Sequence, residues 1–156
     1  MKFDTEIFSQ FDKKWALLSA GTKENHNSMT ISWGGLGTIW NKPVATVYVR
    51  PVRYTYEFMN ENDYFTVSFY SEDYKKALGV MGSKSGRDTD KDAEAGLTAK
   101  EAGNSVTYEE AEVTLLCKKI YYQDMEEDKI PADVLEKLYS EEPVHRLYIG
   151  EVVDIL

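Results

Sequence analysis

Two arginines give this sequence its clearest candidate for chemistry. Arg50 and Arg53 lie three positions apart, just ahead of a short helix predicted to begin at Thr55. A guanidinium binds phosphate through charge-assisted hydrogen bonds, and the amide groups at the start of a helix also favour an anion. Each charge-assisted bond contributes ~1.5–3 kcal/mol, so several of them are enough to hold a phosphomonoester. This spacing predicts a phosphate site.

The segment 28–33 is the second candidate, because it alternates strictly between hydroxyl and apolar side chains, as a strand with two different faces does. One face carries three hydroxyls that can donate to an anion: Ser28, Thr30 and Ser32. A solvated strand exterior explains these hydroxyls equally well. Trp33, which ends the other face after Met29 and Ile31, is either one more core residue or a wall for a planar ring.

The segment 82–92 is the third candidate. It is dense in turn formers and charged side chains, and it includes Ser85 and Lys91. A loop this long inside a compact domain is usually functional or disordered. By itself the segment is typical of an ordinary exposed run of charge.

Other chemistries find less support. The two histidines, His26 and His145, and the single cysteine, Cys117, have no recognisable metal-ligand spacing. The glycine-rich stretch 34–40 lacks the third glycine of a dinucleotide fingerprint, and no Gly-Lys-Ser/Thr phosphate loop occurs. No Gly-x-Ser-x-Gly elbow is present. Cys117 lies within a strand pattern, where we expect a small buried hydrophobic residue.

The elements that must position these residues are mostly strands. Alternating, β-branched and aromatic runs predict six strands, at 14–20, 28–33, 43–50, 64–70, 112–122 and 144–156. Short helices are predicted at 55–60, 71–82 and 131–138. Antiparallel strands with few helices predict a β-dominated fold, a closed or partly open barrel, in a single domain over residues 1–156.

Composition and charge limit the partners. A chain of 156 residues that is 42% hydrophobic is the size of one domain with a continuous core. Its net charge of −9 falls entirely in residues 72–156 and disfavours nucleic acid and anionic membrane surfaces. Residues 25–56 hold no acidic side chain, which suits a small anion, although an apolar barrel core explains the same stretch.

The expected location is a reducing, cytoplasmic compartment. No stretch approaches the ~18 consecutive apolar residues of a membrane span. Residues 1–6 are acidic and lack the apolar run of a signal peptide, and a single cysteine excludes an internal disulfide. We therefore expect a soluble protein without a membrane partner.

Four stretches carry a resemblance to a known family. They are WALLSAGTKENHNSMTISW at 15–33, YVRPVRYT at 48–55, SGRDTDK at 85–91 and His-x-Leu-x-Ile-Gly-Glu-Val at 145–152. In combination they resemble the flavin reductase-like FMN-binding split-barrel family, and within it the flavoredoxin-type members. The resemblance covers nearly the whole chain.

This resemblance implies a six-stranded Greek-key split β-barrel with a few peripheral helices. It also implies a homodimer with FMN near the subunit interface, and electron transfer that is NAD(P)H-linked or ferredoxin-like. The residues that it places at the cofactor are Asn27, Ser28, Met29, Thr30, Ser32, Trp33, Arg50, Arg53, Thr55, Ser85, Lys91 and His145. One departure is the short, very acidic segment 125–142, where an element covering the second face of the flavin is expected to be reduced.

Within this set, the resemblance gives individual roles. Asn27 and Trp33 resemble residues that touch the flavin ring and its edge. Lys91 resembles a lysine that reaches the ring from the long loop, and His145 resembles a histidine near the ring, just before the last strand. The residues that resemble ligands of the ribityl phosphate are Thr30, Ser32, Arg50, Arg53 and Thr55.

Two functions fit these observations. The first is an FMN-dependent oxidoreductase that uses NAD(P)H, in which the flavin does the chemistry at N5 and the protein needs no catalytic acid or nucleophile. The second is a non-catalytic FMN-binding electron carrier with a protein partner, for which the −9 charge would steer a basic surface. Turnover of NADH or NADPH with free acceptors separates the two. A structural barrel with an empty site would be colourless.

Overall fold

Strands make up the largest part of the chain between residues 5 and 156, the range that the computed structural model describes. Residues 1–4, on which the expectation about a signal peptide partly rests, lie outside the described residues. The strands are β1 (Ala16–Gly21), β2 (His26–Ile31), β3 (Gly34–Ile39), β4 (Lys42–Val49), β5 (Tyr64–Phe69), β6 (Ala99–Ala102), β7 (Ser105–Tyr108), β8 (Val113–Asp124) and β9 (Arg146–Ile155). The helices are α1 (Glu6–Asp12), α2 (Tyr54–Glu61), α3 (Lys75–Ser83), α4 (Lys91–Ala95) and α5 (Ala132–Leu138), with 3-10 turns at Glu72–Tyr74 and Glu127–Lys129.

Seven strands form one antiparallel sheet in the order β2-β1-β5-β8-β9-β4-β3, and β6 pairs with β7 in a separate hairpin. The long strand β8 shifts register twice against β9, near Leu116 and near Lys119, and such bulges bend a strand. The β-dominated prediction is confirmed. The main sheet has seven strands, one more than predicted, and it is open, in agreement with the partly open form of the predicted barrel.

The additional strand in the main sheet is β3, and its sequence explains why it was not predicted. Glycine is depleted in strands, yet Gly34, Gly35 and Gly37 all lie in this one. Its six residues pair with β4 across a two-residue turn, Trp40-Asn41, in which both residues have positive φ. That conformation is typical of a type I′ hairpin, where asparagine and glycine rather than tryptophan are the usual signals.

The apolar side chains form two clusters on opposite sides of β1. Leu18 belongs to a cluster with Val47, Phe65 and Tyr148, inside the main sheet. Its neighbour Leu17 packs with Leu78 of α3 in the second cluster. Successive side chains point to opposite faces of a strand, so β1 is buried on both faces and all six of its residues are buried.

Two short connections carry the candidate residues that lie outside residues 27–33 and the start of β9. After β4, the chain turns at 50–53 into α2, close to the helix predicted at 55–60. After α3, a loop leads to α4, whose first residue is Lys91, so this residue lies on a helix that the sequence did not predict. The predicted helix at 71–82 is present as a 3-10 turn followed by α3, and Ser71 makes no capping hydrogen bond with its side chain. The helix predicted at 131–138 corresponds to α5.

None of the helices within residues 5–156 combines the length and the apolar character that crossing a membrane requires.

Candidate functional site

A groove made of two adjoining cavities contains most of the candidate residues. We call the first the aromatic cavity; it measures about 240 Å³ and is lined by residues from Met29 to Trp33 together with Tyr48, Arg50, Arg53, Glu142 and His145. We call the second the loop cavity; it measures about 130 Å³ and lies between residues 52–55 and 81–86. Met29 and Arg53 line both cavities, so the two lie side by side.

Trp33 forms an open wall of the aromatic cavity. It follows β2, and 44% of its surface is exposed, whereas Ile31, two residues earlier, is buried in the core. Its ring centroid lies 5.4 Å from that of His145, with the ring planes at 60°. Of the two alternatives for Trp33, the structure excludes the core residue and leaves an aromatic face available for packing.

His145 is the buried histidine of the aromatic cavity. Its Nδ1 lies 2.7 Å from the Tyr139 hydroxyl. Burial, together with the positive charges of Arg50 and Arg53, lowers the pKa of His145 to about 4. The imidazole is therefore neutral at pH 7, and Nδ1 is already engaged.

Arg50 lies at the end of β4, but its guanidinium is turned toward the segment before β9. Its Nε pairs with a carboxylate oxygen of Glu142 at 3.1 Å. The two terminal nitrogens donate to the carbonyls of Pro143 at 3.1 Å and Leu138 at 3.0 Å. Arg50 thus lines the cavity with its hydrogen bonds largely committed.

Arg53 contrasts with Arg50. It is exposed at the junction of the two cavities, and no hydrogen-bond or ion-pair partner is found for its guanidinium among residues 5–156, although its backbone N–H and carbonyl bond to Arg50 and Tyr56. It is also the N-cap residue of α2, where its side chain makes no capping bond. The first-turn amides of a helix have no partner within the helix. This corner therefore offers an available guanidinium beside a helix N-terminus.

The loop cavity is shaped by a close approach of the 82–90 loop to β2. Asn27 is buried and donates from its side-chain nitrogen to the Thr55 hydroxyl at 2.7 Å. Gly86 passes so close to Asn27 that a Cβ on residue 86 would overlap the Asn27 side-chain oxygen. The polar residues Ser83, Lys84 and Ser85 complete this side of the cavity.

Lys91 closes the inner end of the loop cavity. Its ammonium group is buried and donates to the backbone carbonyls of Ser28 at 2.5 Å and Met81 at 3.0 Å. Burial lowers the pKa of Lys91 to about 8. An ammonium has three donors, so one N–H of Lys91 is left for a further acceptor.

The three predicted hydroxyls do not form one accessible face, and this expectation is corrected. Ser28 is buried, donates to Ser19 at 2.7 Å and lies 2.8 Å from the Tyr108 hydroxyl. Thr30 donates to the carbonyl of Leu78 on α3 at 2.5 Å. Tyr108 of β7 covers Ser28, which lines neither cavity, whereas Thr30 and Ser32 line the aromatic cavity.

Eleven of the twelve predicted residues line the groove, with Ser28 as the exception. Tyr48 and Glu142 of the aromatic cavity were not predicted, and neither were Ser83, Lys84 and Gly86 of the loop cavity. The last three were detectable as part of the turn-forming segment 82–92. Cys117, expected to be a buried hydrophobic residue, is buried, and burial raises the pKa of its thiol to about 12. Within residues 5–156, no cluster of His, Cys, Asp and Glu has the arrangement of a metal site.

Comparison with known families identifies the domain type. Residues 8–156 match the model of the family described as "Flavin reductase like domain". A search of curated protein sequences gave no match.

Solved structures with the same fold include two flavoredoxins. That of Methanosarcina acetivorans is 21% identical, with a TM-score of 0.74 over 100% of this chain and 74% of that one. That of Desulfovibrio vulgaris (Miyazaki F) is 24% identical, with a TM-score of 0.70 over 100% and 76% of the two chains. An FMN-binding protein from Thermus thermophilus is 18% identical, with a TM-score of 0.73 over 100% and 76%. At these identities the likeness establishes the fold.

Proposed function

The chain belongs to the flavin reductase like family, and from this premise we propose that it is an FMN-binding oxidoreductase that accepts electrons from NAD(P)H. The proposal takes residues 1–156 as one flavin-binding domain. The observation that carries it is the polarity of the groove, which is cationic and rich in donors at one end and aromatic at the other. FMN has the same polarity, with an anionic phosphate at one end and a planar ring at the other.

The phosphate end of FMN fits the region around Arg53. The available guanidinium and the N-terminus of α2 both favour an anion. Ser85 and the remaining donor of Lys91 lie on the same cavity. In this proposal Arg53 neutralises the phosphate, while Asn27 and Thr55, which bond to each other, shape the floor on which the ribityl chain lies. This differs from the roles that the resemblance implied, because Asn27 and Lys91, expected at the ring, line the loop cavity, and Thr30 and Ser32, expected at the phosphate, line the aromatic cavity.

The ring end fits the aromatic cavity. The half-exposed Trp33 gives a surface for ring packing, and Met29 joins the two cavities. Bound flavin would accept a hydride or electrons at N5 and pass them to an acceptor. The protein residues contribute position and electrostatics, with His145 held neutral beside the ring site.

The alternative, an FMN-binding electron carrier with a basic protein partner, is favoured by one observation. Glu142, the last residue of the acidic segment 125–142, lines the aromatic cavity beside the expected ring position. The acidic side chains of this segment would attract a basic protein and would repel the phosphates of a dinucleotide. Oxidation of NADH or NADPH by the FMN-loaded protein supports the enzyme. Stable reduced flavin formed only by a protein donor supports the carrier.

The proposal includes a homodimer in a cytoplasmic compartment. Trp40 is 58% exposed and packs edge-on against Tyr121, and such exposed aromatic contacts are typical of interfaces. The single cysteine suits a reducing compartment. Light scattering of the FMN-loaded protein at micromolar concentration tests the dimer.

The first test is the visible spectrum of the purified protein and the identity of any chromophore released on denaturation. We then expect Arg53→Ala to weaken FMN binding by roughly 10- to 100-fold, because a charge-assisted bond of ~1.5–3 kcal/mol is lost. Riboflavin, which lacks the phosphate, should change by less than ~3-fold. Dissociation constants from flavin fluorescence quenching give both numbers.

Arg87→Ala is the matched control. Arg87 lies on the 82–90 loop but lines neither cavity; it pairs with Glu57 at 3.0 Å and stacks on Tyr54. Its loss should leave both dissociation constants nearly unchanged. Equal losses for FMN and riboflavin in Arg53→Ala would remove the phosphate from this corner, and a protein that binds no flavin would overturn the proposed function.

A further inference from the structure

Arg50 fastens one segment of the chain to the end of β4. Its contacts with Glu142, Pro143 and Leu138 all fall within residues 138–143, the connection between α5 and β9. Its guanidinium carbon also lies 4.9 Å from the centre of the Tyr139 ring. The Arg50 side chain is only 12% exposed. One side chain therefore fixes both the backbone and an aromatic ring of this connection.

Tyr139 links Arg50 to His145. The two rings meet edge to face, with centroids 5.5 Å apart at 81°, and the Tyr139 hydroxyl lies 2.7 Å from Nδ1. His145 in turn lies against Trp33. Arg50, Tyr139, His145 and Trp33 thus form a continuous series of contacts from the end of β4 to the open wall of the aromatic cavity.

The second nitrogen of His145 is left for another partner. No hydrogen bond to Nε2 is found within the part of the chain that the structure describes, while Nδ1 is bonded to Tyr139. A neutral imidazole has one donor nitrogen and one acceptor nitrogen, and a phenolic hydroxyl can pair with either. Because the phenol is the more acidic partner, it favours donating to Nδ1, which leaves the imidazole proton on Nε2. The hydroxyl of Tyr139 is therefore placed to set the hydrogen-bonding character of Nε2.

We propose that Arg50 and Tyr139 are positioning residues that hold the His145 ring in one orientation and one tautomer, with Nε2 as the nitrogen available to a ligand in the aromatic cavity. This rests on the proposed function, since it needs a flavin or its electron donor in that cavity. It also changes the role of Arg50, which acts through His145 rather than as a phosphate ligand.

The competing role for Arg50 is direct binding of the phosphate. Three of its five N–H donors are already used and the side chain is only 12% exposed, so turning the whole guanidinium toward a phosphate would break its present contacts. The carboxylate of Glu142 and the carbonyls of Leu138 and Pro143 would each lose a donor. Removing the partner of such groups is costly, and nothing comparable opposes phosphate binding by Arg53. The two arginines thus have different roles in this proposal. Arg53 binds the phosphate, and Arg50 fixes the connection between α5 and β9.

The direct test is histidine NMR on the ¹⁵N-labelled protein as purified and after addition of FMN. The sequence has two histidines, so a His145→Gln variant assigns both ring signals and His26 serves as an internal control. We expect one neutral tautomer for His145 in the parent at pH 7. In Tyr139→Phe and Arg50→Lys the ring should become a mixture of tautomers, while the His26 signals stay unchanged.

The kinetic test separates positioning from binding. Tyr139→Phe keeps the ring that packs on Arg50, and Arg50→Lys keeps the charge but loses the fork that holds three groups. Both variants should slow reduction of bound FMN by at least ~10-fold, the size expected for a misplaced group. Dissociation constants for FMN and riboflavin should change by less than ~3-fold.

The results can contradict the proposal in two ways. If His145 keeps its single tautomer in both variants, the positioning series does not exist. If Arg50→Lys weakens FMN far more than riboflavin, Arg50 is a phosphate ligand instead. The tautomer measurement does not depend on flavin, so failure of the proposed function, seen as no flavin binding at all, is distinguishable from failure of the positioning role.

Discussion

The two histidines of this chain lie toward opposite ends of the groove, and their pKa values are shifted in opposite directions. His26, behind the loop cavity, bonds to the Asp92 carboxylate at 2.7 Å, and this hydrogen bond raises its pKa. His145, in the aromatic cavity, is buried near Arg50 and Arg53, and its pKa falls to about 4. A carboxylate partner thus favours the charged form of His26, whereas burial and two nearby guanidinium groups favour the neutral form of His145. We call the part of the groove near His26 and the loop cavity the loop end, and the part near His145 the ring end.

The loop end owes its order to a chain of hydrogen bonds. Asp92 accepts from His26 and, through its other oxygen, from the Tyr108 hydroxyl at 2.8 Å. Tyr108 in turn contacts Ser28 at 2.8 Å, and Ser28 donates to Ser19 of β1. Asp92 is the neighbour of Lys91, so this network fixes α4 and holds Lys91 at the inner end of the loop cavity.

The largest effect is expected from Gly86→Ala, which breaks the loop end and spares the ring end. A Cβ at residue 86 would overlap the Asn27 oxygen and crowd Tyr54 at 3.2 Å. Overpacking of this kind costs ~1–3 kcal/mol, and the loop must move away from Asn27. We expect FMN affinity to fall by at least ~10-fold, measured by fluorescence titration.

Gly79→Ala is the control for this substitution. Residue 79 lies within α3, and a Cβ there meets nothing within 4 Å. Alanine in a helix interior is ~0.5–1 kcal/mol better than glycine, so this variant should be slightly more stable and bind FMN normally. Unchanged FMN affinity in Gly86→Ala would mean that the loop does not form the phosphate end.

The next effect is a pair of opposite pH dependences of stability. The folded pKa of His145 is depressed, so the unfolded chain binds more protons between about pH 4 and ~6.5, and stability falls as the pH drops through this range. The folded pKa of His26 is raised. Its contribution is complete below ~6.5 and is lost as the pH rises through the raised value.

Urea denaturation of the parent, His145→Gln and His26→Gln across pH 4–9 measures both contributions. The parent should lose ~1–3 kcal/mol relative to His145→Gln on going from pH 6.5 to 4. Relative to His26→Gln, the parent should lose a smaller amount on the alkaline side, because the ion pair is partly exposed. Parallel curves for all three proteins would show that the two rings do not differ in charge.

The sequence predicted the location of the groove better than the partners within it. The alternation at 28–33 and the Arg-x-x-Arg-x-Thr spacing depend on neighbouring residues, and both stretches do line the cavities. The pairing of Arg50 with Glu142 joins residues far apart in the chain, and nothing local to Arg50 indicates it. Ser28 likewise lies at an alternating position that predicts a solvated face, but Tyr108 of β7 covers it.

The secondary structure shows the same difference between features that depend on neighbouring residues and features that depend on distant contacts. Six predicted strands are present because β-branched and aromatic runs reflect burial within each strand. β3 is held by its ladder to β4, which supplies hydrogen bonds that its glycines do not predict. α1 also escaped prediction, and its Phe11 is buried against Phe69 of β5, a contact made only after folding.

The smallest effect on folding is expected at the ring end, from Trp33. A buried aromatic residue costs ~3–5 kcal/mol when cut to alanine, but Trp33 is 44% exposed, so Trp33→Ala should cost less than ~1 kcal/mol. If the indole is the wall of the flavin site, the milder Trp33→Phe should still shift the midpoint potential or the rate of flavin reduction, because ring packing and solvent access change. Trp40→Phe is the matched control, an exposed tryptophan at the β3–β4 turn that lines neither cavity. A potential and rate altered equally in both variants, or in neither, would remove Trp33 from the site and leave the aromatic cavity defined by His145 and its positioning residues.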